Sequence, residues 1–220
     1  MAAPVDALQR RVLDKREALS DLLPAAITLA MMLRQRTMAA WLRTEYGGYP
    51  PDAALPAYRQ AVPGHMVARS PHYGWIPAPV DDAQRRAHGH ADVREGVKWL
   101  EQTCAACKKG SGKRMPFDTA LVRELQAQIN LEAELAVMLA RDDFAELLHR
   151  IRSVVYLWSL DLVEAGLSGE HNTFDESQRK SASACGTPEH YCQRAQLEKA
   201  QLPVPGVRDS GFFDRLLNPG

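Results

Sequence analysis

The sequence lacks a net charge and lacks long hydrophobic runs. It has 27 Lys and Arg against 27 Asp and Glu in 220 residues, so no overall field draws the protein to nucleic acid or to a membrane, and such binding would need a local patch. The longest apolar run lies at about residues 24–33 and is followed at once by Arg34 and Arg36. A membrane span needs about 20 apolar residues, so we expect none.

Cysteine is scarce, and we expect no secretion signal in the N-terminal region. Four charged residues interrupt its apolar character: Asp6, Arg10, Arg11 and Asp14. A signal peptide instead carries an uninterrupted apolar stretch. The four cysteines fit reduced thiols or metal ligands better than a disulfide framework. We therefore expect a cytoplasmic protein that folds without disulfides.

Helical periodicity dominates and predicts an all-α fold, a bundle of about five helices. The predicted helices cover residues 5–19, 21–46, 90–103, 119–140 and 142–166. The last two should form an antiparallel hairpin, because only a few polar residues connect them. Arg150 and Arg152 flank the apolar stripe of the last helix, and we expect both on a solvated face with acid partners such as Glu146. Residues 1–167 are expected to form one domain.

The segment from Gly47 to about His88 breaks the helical pattern. Seven prolines punctuate it: Pro50, Pro51, Pro56, Pro63, Pro71, Pro77 and Pro79. This predicts a long Pro-rich and aromatic-rich loop, whose aromatic residues argue against disorder. A short strand pair within residues 60–80 is an alternative for part of it, because two apolar clusters there are separated by turn residues.

The composition changes after residue 167. Residues 168–220 are rich in Ser, Gln, His, Gly, Lys and Glu and predict a flexible, polar C-terminal tail. A short apolar segment stands near its end: Phe212, Phe213, Leu216 and Leu217. We expect this segment to dock on a groove or a partner.

One acid and one base stand among apolar residues where the second helix ends. Glu45 follows Trp41 by four residues and so projects from the buried side of that helix. A buried carboxylate needs a partner, and the planar guanidinium of Arg59 can hold it with two hydrogen bonds. Gly47 and Gly48 supply the backbone freedom that ends the helix. We predict a Glu45–Arg59 clamp, and a plain helix end with a stabilising ion pair accounts for it without catalysis.

This stretch resembles the AbiTii family. The matching order is W-L-x-x-E-x-x-G-Y-P at 41–50, L-P-x-Y-R at 55–59, L-A-x-x-L at 29–33, a Trp- and Glu-bearing helix at 99–101, and a later helix from Ile151 and Arg152 to Leu162 and Glu164. The resemblance covers about residues 5–166. The residues that carry it most specifically are Trp41, Glu45, Gly48, Tyr49, Pro56, Tyr58, Arg59 and Arg152.

The resemblance implies phage defence, because the family is named for a component of an abortive-infection system against bacteriophage. It brings no established chemistry. Tyr46 and Gly47 stand where the family more usually has Leu-Asn. This departure indicates that the end of the helix matters more than an asparagine side chain.

A basic segment follows the helix predicted at 90–103. Its cations are Lys108, Lys109, Lys113 and Arg114. A phosphate-binding Walker motif is excluded, because that motif needs glycine at Cys107 and serine or threonine at Arg114. We expect a flexible loop that can touch an anionic partner such as nucleic acid.

The cysteines allow a zinc site. Cys104 and Cys107 have the C-x-x-C spacing of zinc ligands, and a second cluster in the tail contains Cys185, His190 and Cys192. The fold would have to close a long gap between the two groups. Free thiols are the alternative, and no other cofactor is expected.

Three functional hypotheses follow. The leading one is an anti-phage protein of the abortive-infection type that acts as an effector or sensor component through binding, with a protein partner or by self-association. The alternative is a toxin of the hydrolase or nuclease type, whose site is built on Glu45, Arg59 and the loop tyrosines. The third is a zinc-dependent protein interaction module.

Overall fold

The computed structural model describes residues 3–108, 110–130, 132–167, 169 and 173–204. Its helices are α1 Pro4–Leu13, α2 Leu19–Met32, α3 Arg36–Gly47, α4 Asp82–His88, α5 Val97–Ala106, α6 Thr119–Ile129, α7 Arg141–Glu164, α8 Glu176–Ser183 and α9 Pro188–Leu197. Its strands are β1 Val62–Pro63, β2 His65–Ser70, β3 Gly74–Pro77, β4 His90–Ala91, β5 Gly112–Pro116 and β6 Leu135–Ala140.

The chain divides into two units. The first contains the described residues of Met1–Pro51, Glu95–Gln102 and Ala145–Gly220, and the second contains Asp52–Arg94 and Thr103–Phe144. The first unit is helical, and the second is built around a sheet. The expected all-α fold is therefore wrong, because the protein is mixed α and β.

The longest helix of the first unit is α7, which follows the predicted apolar stripe. Ile151, Val155, Trp158 and Leu162 are fully buried along it. The indole Nε1 of Trp158 donates a hydrogen bond of 2.7 Å to Gln35 Oε1. The 3.6-residue period of α7 is a local property of the sequence, and for this reason the helix was predictable.

The helix predicted at 21–46 is two helices, α2 and α3. Between them Arg34 has a φ of 58°, a left-handed conformation that ends α2 although no glycine or proline marks the position. The backbone N–H of Gln35 donates to Ala30 O at 2.9 Å. The side-chain amide of Gln35 donates to Ala182 O at 2.6 Å. The first of these bonds is local, but the second reaches a distant partner that the local pattern does not show.

Four antiparallel strands form the main sheet of the second unit in the order β3-β2-β6-β5. Helix α6 and its flanks pack on one face. The apolar cluster on that face contains Met66, Ala68, Ala78, Val80, Leu125 and Leu135, with Phe117, Leu121, Ile129 and Ala133 packed against it. A separate antiparallel pair joins β1 to β4.

The helix predicted at 119–140 ends early. Asp118 caps α6 through backbone N–H groups of Ala120 and Leu121, but Asn130 takes a left-handed φ of 49° and ends it. Residues Leu135–Ala140 then form the central strand β6. Their short apolar run fits either a buried helix or a buried strand, and pairing with β2 and β5 decides the outcome.

The predicted long loop at 47–88 contains regular structure. The strand pair considered for residues 60–80 is confirmed, because β2 and β3 form a hairpin with Arg69 opposite Trp75. Helix α4 follows and carries a capping box. Gln84 N donates to Asp81 Oδ1 at 2.7 Å, and Asp81 N donates to Gln84 Oε1 at 3.0 Å. The prolines obscured these elements because two of them, Pro63 and Pro77, stand at strand ends, where proline is tolerated.

The predicted flexible tail contains two helices within residues 173–204, α8 and α9. Tyr191 of α9 is fully buried, and its hydroxyl donates to Asp161 Oδ2 of α7 at 2.8 Å. The sequence concealed this packing because the other buried residues of the two helices are the small residues Ala182, Pro188 and Ala195. The apolar segment Phe212, Phe213, Leu216 and Leu217 lies outside the described residues. Among the described residues, none of the helices has the length and apolarity to cross a bilayer.

Candidate functional site

Glu45 lies fully buried near the end of α3. The hydroxyl of Tyr49 donates a hydrogen bond of 2.5 Å to Glu45 Oε1. The helix ends as Gly48 adopts a φ of 95° and its N–H donates to Thr44 O at 2.8 Å. Trp41, one turn before Glu45, is half-buried. A carboxylate and an aromatic hydroxyl are thus brought together at this helix end.

Gly96 belongs to the surroundings of this helix end, and the sequence analysis missed it. A Cβ at residue 96 would lie 2.4 Å from the backbone oxygen of Tyr46 and 2.9 Å from the backbone carbon of Gly47. Such a contact with main-chain atoms cannot be relieved by a rotamer change. Only glycine fits, and its position just before α5 was the available signal.

Arg59 lies in the second unit, at the end of the 3-10 turn Ala57–Arg59. It is fully buried. Its Nη1 donates to Val93 O at 3.0 Å, and its own carbonyl accepts the N–H of Val93 at 2.9 Å. Pro56, which precedes the turn, and Tyr58 are half-buried. Arg59 therefore ties this turn to the segment at residue 93, and the Glu45–Arg59 clamp stays a prediction.

Arg152 lies on α7 in the first unit and is only 8% exposed. The expectation of a solvated face is wrong for this residue. Its guanidinium donates to three backbone carbonyls, that of Val12 in the last turn of α1 at 3.0 Å and those of Asp14 at 3.4 Å and Glu17 at 2.5 Å in the connection to α2. The acceptors lie about 140 residues earlier in the chain, which is why local sequence reasoning missed them.

The charge of Arg152 stands in a partly acidic setting. Burial lowers the pKa of its guanidinium, and Glu101, Glu17 and Asp14 act in the opposite direction. Glu101 itself accepts the backbone N–H of Leu19 at 2.6 Å at the beginning of α2. Arg152 and Glu101 thus fix the two sides of one interhelical connection, which is a structural task.

Two of the predicted metal ligands lie in the second unit. Cys104 is 3% exposed, and its Sγ lies 3.9 Å from Arg141 O. In return Arg141 Nε donates to Cys104 O at 2.9 Å. Cys107 is half-buried. Cys104 is thus packed against the beginning of α7.

The other predicted ligands belong to the first unit. Cys185 and Cys192 are half-buried and His190 is exposed. Burial, assisted by the charge of Asp161, raises the pKa of the Cys185 thiol, which favours the neutral thiol over the thiolate that binds metals. Within the described part of the chain, no group of three or more His, Cys, Asp or Glu residues is arranged to hold a metal. The zinc site stays a prediction.

The basic segment is not wholly a loop. Lys113 and Arg114 lie on β5, exposed Lys108 precedes that strand, and Lys109 is outside the described residues. The strand begins at Gly112, where a Cβ would lie 1.9 Å from Leu139 O of β6. The close approach of the two strands requires glycine there and was not visible from the sequence.

Arg114 meets an aromatic ring that the sequence analysis had assigned only to the loop. Its Cζ lies 4.8 Å from the ring centroid of Trp75, a cation–π contact. The strand register puts both on the face of the sheet opposite the α6 cluster. We call this face the Trp75–Arg114 face; by the register it contains His65, Val67, Arg69, Trp75, Pro77, Gly112, Arg114, Pro116, Ala136, Met138 and Ala140.

Comparison with known proteins identifies a family for this chain. No curated protein and no solved structure matches the chain. The family model AbiTii matches residues 5–185, which is well over half of the 220 residues. The match includes Glu45, Arg59, Arg152 and the Trp75–Arg114 face. The chain belongs to the AbiTii family, whose name suggests abortive infection as a defence against phage.

Proposed function

We propose that this AbiTii-family protein serves abortive-infection defence as an effector or sensor component, and that it acts through binding. The family match supports the defence role. The observation that carries the choice of binding over catalysis is the full burial of Glu45 and of Arg59.

A catalytic group must come within about 3 Å of the atoms that react. The carboxylate of Glu45 is inaccessible to solvent and accepts the Tyr49 hydroxyl. Arg59 is equally buried and holds Val93 O. Arg152 directs its donors at backbone carbonyls. These contacts favour a structural role for all three charged residues over a hydrolase or nuclease site.

The cytoplasm is the compartment we assign to this role. All four cysteines are free thiols, which agrees with a reducing environment. Phage genomes and their products are also found there, so a sensor or effector would meet them directly.

A plating assay tests the defence role. Bacteria carrying the gene with its native neighbours are compared with bacteria carrying the same operon without this gene, across a broad panel of phages. We expect fewer or smaller plaques when the gene is present. Equal plating on every phage would refute the proposal.

A substitution at Glu45 tests binding against catalysis. Glu45→Gln keeps the size of the side chain and can still accept the Tyr49 hydrogen bond, so we expect protection to persist in protein that remains folded. Tyr49→Phe removes this hydrogen bond and shows separately what its loss costs the stability of the protein. Complete loss of protection in folded Glu45→Gln would favour the hydrolase or nuclease toxin.

A further inference from the structure

The charged residues on the strands of the main sheet are all basic. Their 21 residues, 6 in β2, 4 in β3, 5 in β5 and 6 in β6, include no Asp or Glu. This differs from the chain as a whole, where acids and bases balance. Arg69 and Arg114 are the arginines of the Trp75–Arg114 face, and the register puts Lys113 on the other face. The two arginines therefore give the Trp75–Arg114 face a positive charge although the sequence shows no net charge.

The side chains of Trp75 and Arg114 cross the sheet. Trp75 is on edge strand β3 and Arg114 on edge strand β5, with β2 and β6 between them. Three strand spacings correspond to about 14 Å across the strands, and the register also offsets the two residues by four positions along the strands. The guanidinium carbon is nevertheless 4.8 Å from the ring centroid. The two side chains must reach toward each other above the central strands.

The residues beneath this contact explain how it fits. Val67 of β2 and Ala136 of β6 are paired with each other and are 8% and 4% exposed. The small side chain of Ala136 leaves room for the crossing ring and guanidinium. Arg114 nevertheless remains exposed, and Trp75 is only half-buried. The stack covers the central strands and still presents planar groups to solvent.

We propose that the Trp75–Arg114 face binds single-stranded nucleic acid. Unpaired bases stack on aromatic rings and on guanidinium planes, and arginines neutralise the phosphates. Tyr73 at the turn of the β2–β3 hairpin is 82% exposed and offers a second ring. This inference names the class of partner for the proposed function and rests on the view that the protein acts through binding.

Arg69 is the second arginine of the face, and it can exchange its carboxylate partner for a phosphate. It pairs with Glu134 at 3.2 Å, but the side chains are 66% and 60% exposed. Exposed ion pairs contribute about 0–1 kcal/mol, so a phosphate can replace the carboxylate. His65 is also exposed on the same face.

The chemistry of the face favours a single strand over other occupants. A duplex hides the faces of its bases and offers mainly phosphates, whereas the Trp75–Arg114 stack and Tyr73 require unpaired bases. An acidic peptide could use the cations but would leave these planar groups without stacking partners. A second copy of this sheet face would bring like charges together.

The binding test uses the full chain and fluorescein-labelled homopolymers of roughly 12 nucleotides, oligo-dT and oligo-U, with a hairpin duplex as competitor. Fluorescence anisotropy is measured from about 50 mM to about 200 mM salt. We expect single strands to bind, the duplex to compete poorly, and affinity to fall steeply with salt.

Substitutions locate the site. Trp75→Ala should weaken binding by about 5- to 150-fold, the range for losing one base-stacking ring, whereas Trp75→Tyr should retain most of it. Arg114→Gln should weaken binding and reduce the salt slope by about 0.7 for each lost phosphate contact. The matched control is Arg86→Gln, which removes an exposed arginine of the same unit that belongs to α4 and not to a strand.

Several outcomes would overturn the inference. The first two are absence of binding by the wild-type chain at low salt and equal affinity for duplex. The third is an affinity of Arg114→Gln equal to that of the control Arg86→Gln. The fourth is an affinity of Trp75→Tyr as low as that of Trp75→Ala. Concentration-dependent dimers that Arg114→Gln abolishes would assign the face to a second copy of the protein. Displacement of the oligonucleotide by poly-Glu at matched charge would assign it to an acidic peptide. Circular dichroism confirms that each variant is folded.

The plating assay separates this inference from the proposed function. Protection by a wild-type chain that binds no oligonucleotide refutes only the nucleic-acid site. Oligonucleotide binding by a chain that protects against no phage refutes the defence role and leaves the site in place.

Discussion

Replacing Arg152 by methionine tests whether this arginine holds the connection between α1 and α2. Methionine keeps much of the apolar stem and removes the guanidinium. The three carbonyls that the guanidinium contacts lose their donor. That of Val12 belongs to a fully buried residue, so water is a poor replacement there.

The expected loss of stability follows from these contacts. A hydrogen bond with a charged donor contributes about 1.5–3 kcal/mol, and a buried acceptor left without a donor costs about 1–3 kcal/mol. The carbonyls of exposed Asp14 and half-buried Glu17 can turn to water, and removal of a buried charge relieves its desolvation, which lowers the pKa of Arg152 in the native protein. We expect a net loss of about 2–4 kcal/mol.

Urea unfolding followed by circular dichroism measures this loss, and an unchanged slope with urea concentration shows that the same surface is exposed on unfolding. Arg152→Lys should be nearly as unstable, because a single ammonium cannot reach all three carbonyls. Arg10→Met, at an exposed position of α1, is the control and should stay within about 0.5 kcal/mol of wild type. An Arg152→Met protein as stable as this control would refute the reasoning.

Four further predictions concern stability and metal content. Tyr191→Phe should lower the free energy of unfolding by about 1–2 kcal/mol, because Asp161 loses a hydrogen-bond donor. Burial raises the pKa of the Tyr191 hydroxyl. The wild type should therefore lose this stability above about pH 10, whereas the variant has no hydroxyl to ionise. Equal urea midpoints would contradict it. Burial is the main cause that raises the pKa of Asp143, and the charge of Asp142 adds to it, whereas the hydrogen bond from Ala140 N–H and the charge of His65 lower it. Ionised Asp143 therefore destabilises the fold. The stability of Asp143→Asn relative to wild type should increase as pH rises from about 3 to about 7. A pH-independent difference would exclude this. In the Glu45–Arg59 clamp, Glu45→Leu and Arg59→Met should each cost about 3–5 kcal/mol and the double variant less than their sum; additive losses would show that the two do not interact. The zinc hypothesis expects stoichiometric zinc in protein purified without chelator and lower stability on chelation, and metal analysis well below one zinc per chain would remove it.

Pairing outside the local sequence explains where the predictions failed. Leu135–Ala140 has the composition of a buried helix as much as of a strand, and its neighbours in the sheet come from residues 65–68 and 112–116. The break at Arg34 carries no local punctuation and depends on Gln35 contacts with Trp158 and Ala182. Such choices are made when distant segments meet.

The sequence by itself determined the family, the stripe of α7, the burial of Glu45 and the glycine end of α3, because each depends on a motif or a periodicity within a few residues. Tertiary structure alone decided that Arg152 is buried, that the second unit contains a sheet, and that Trp75 and Arg114 stack. Those features join residues far apart in the chain, and the free energy that orders them arises from strand pairing and burial, which no single segment contains.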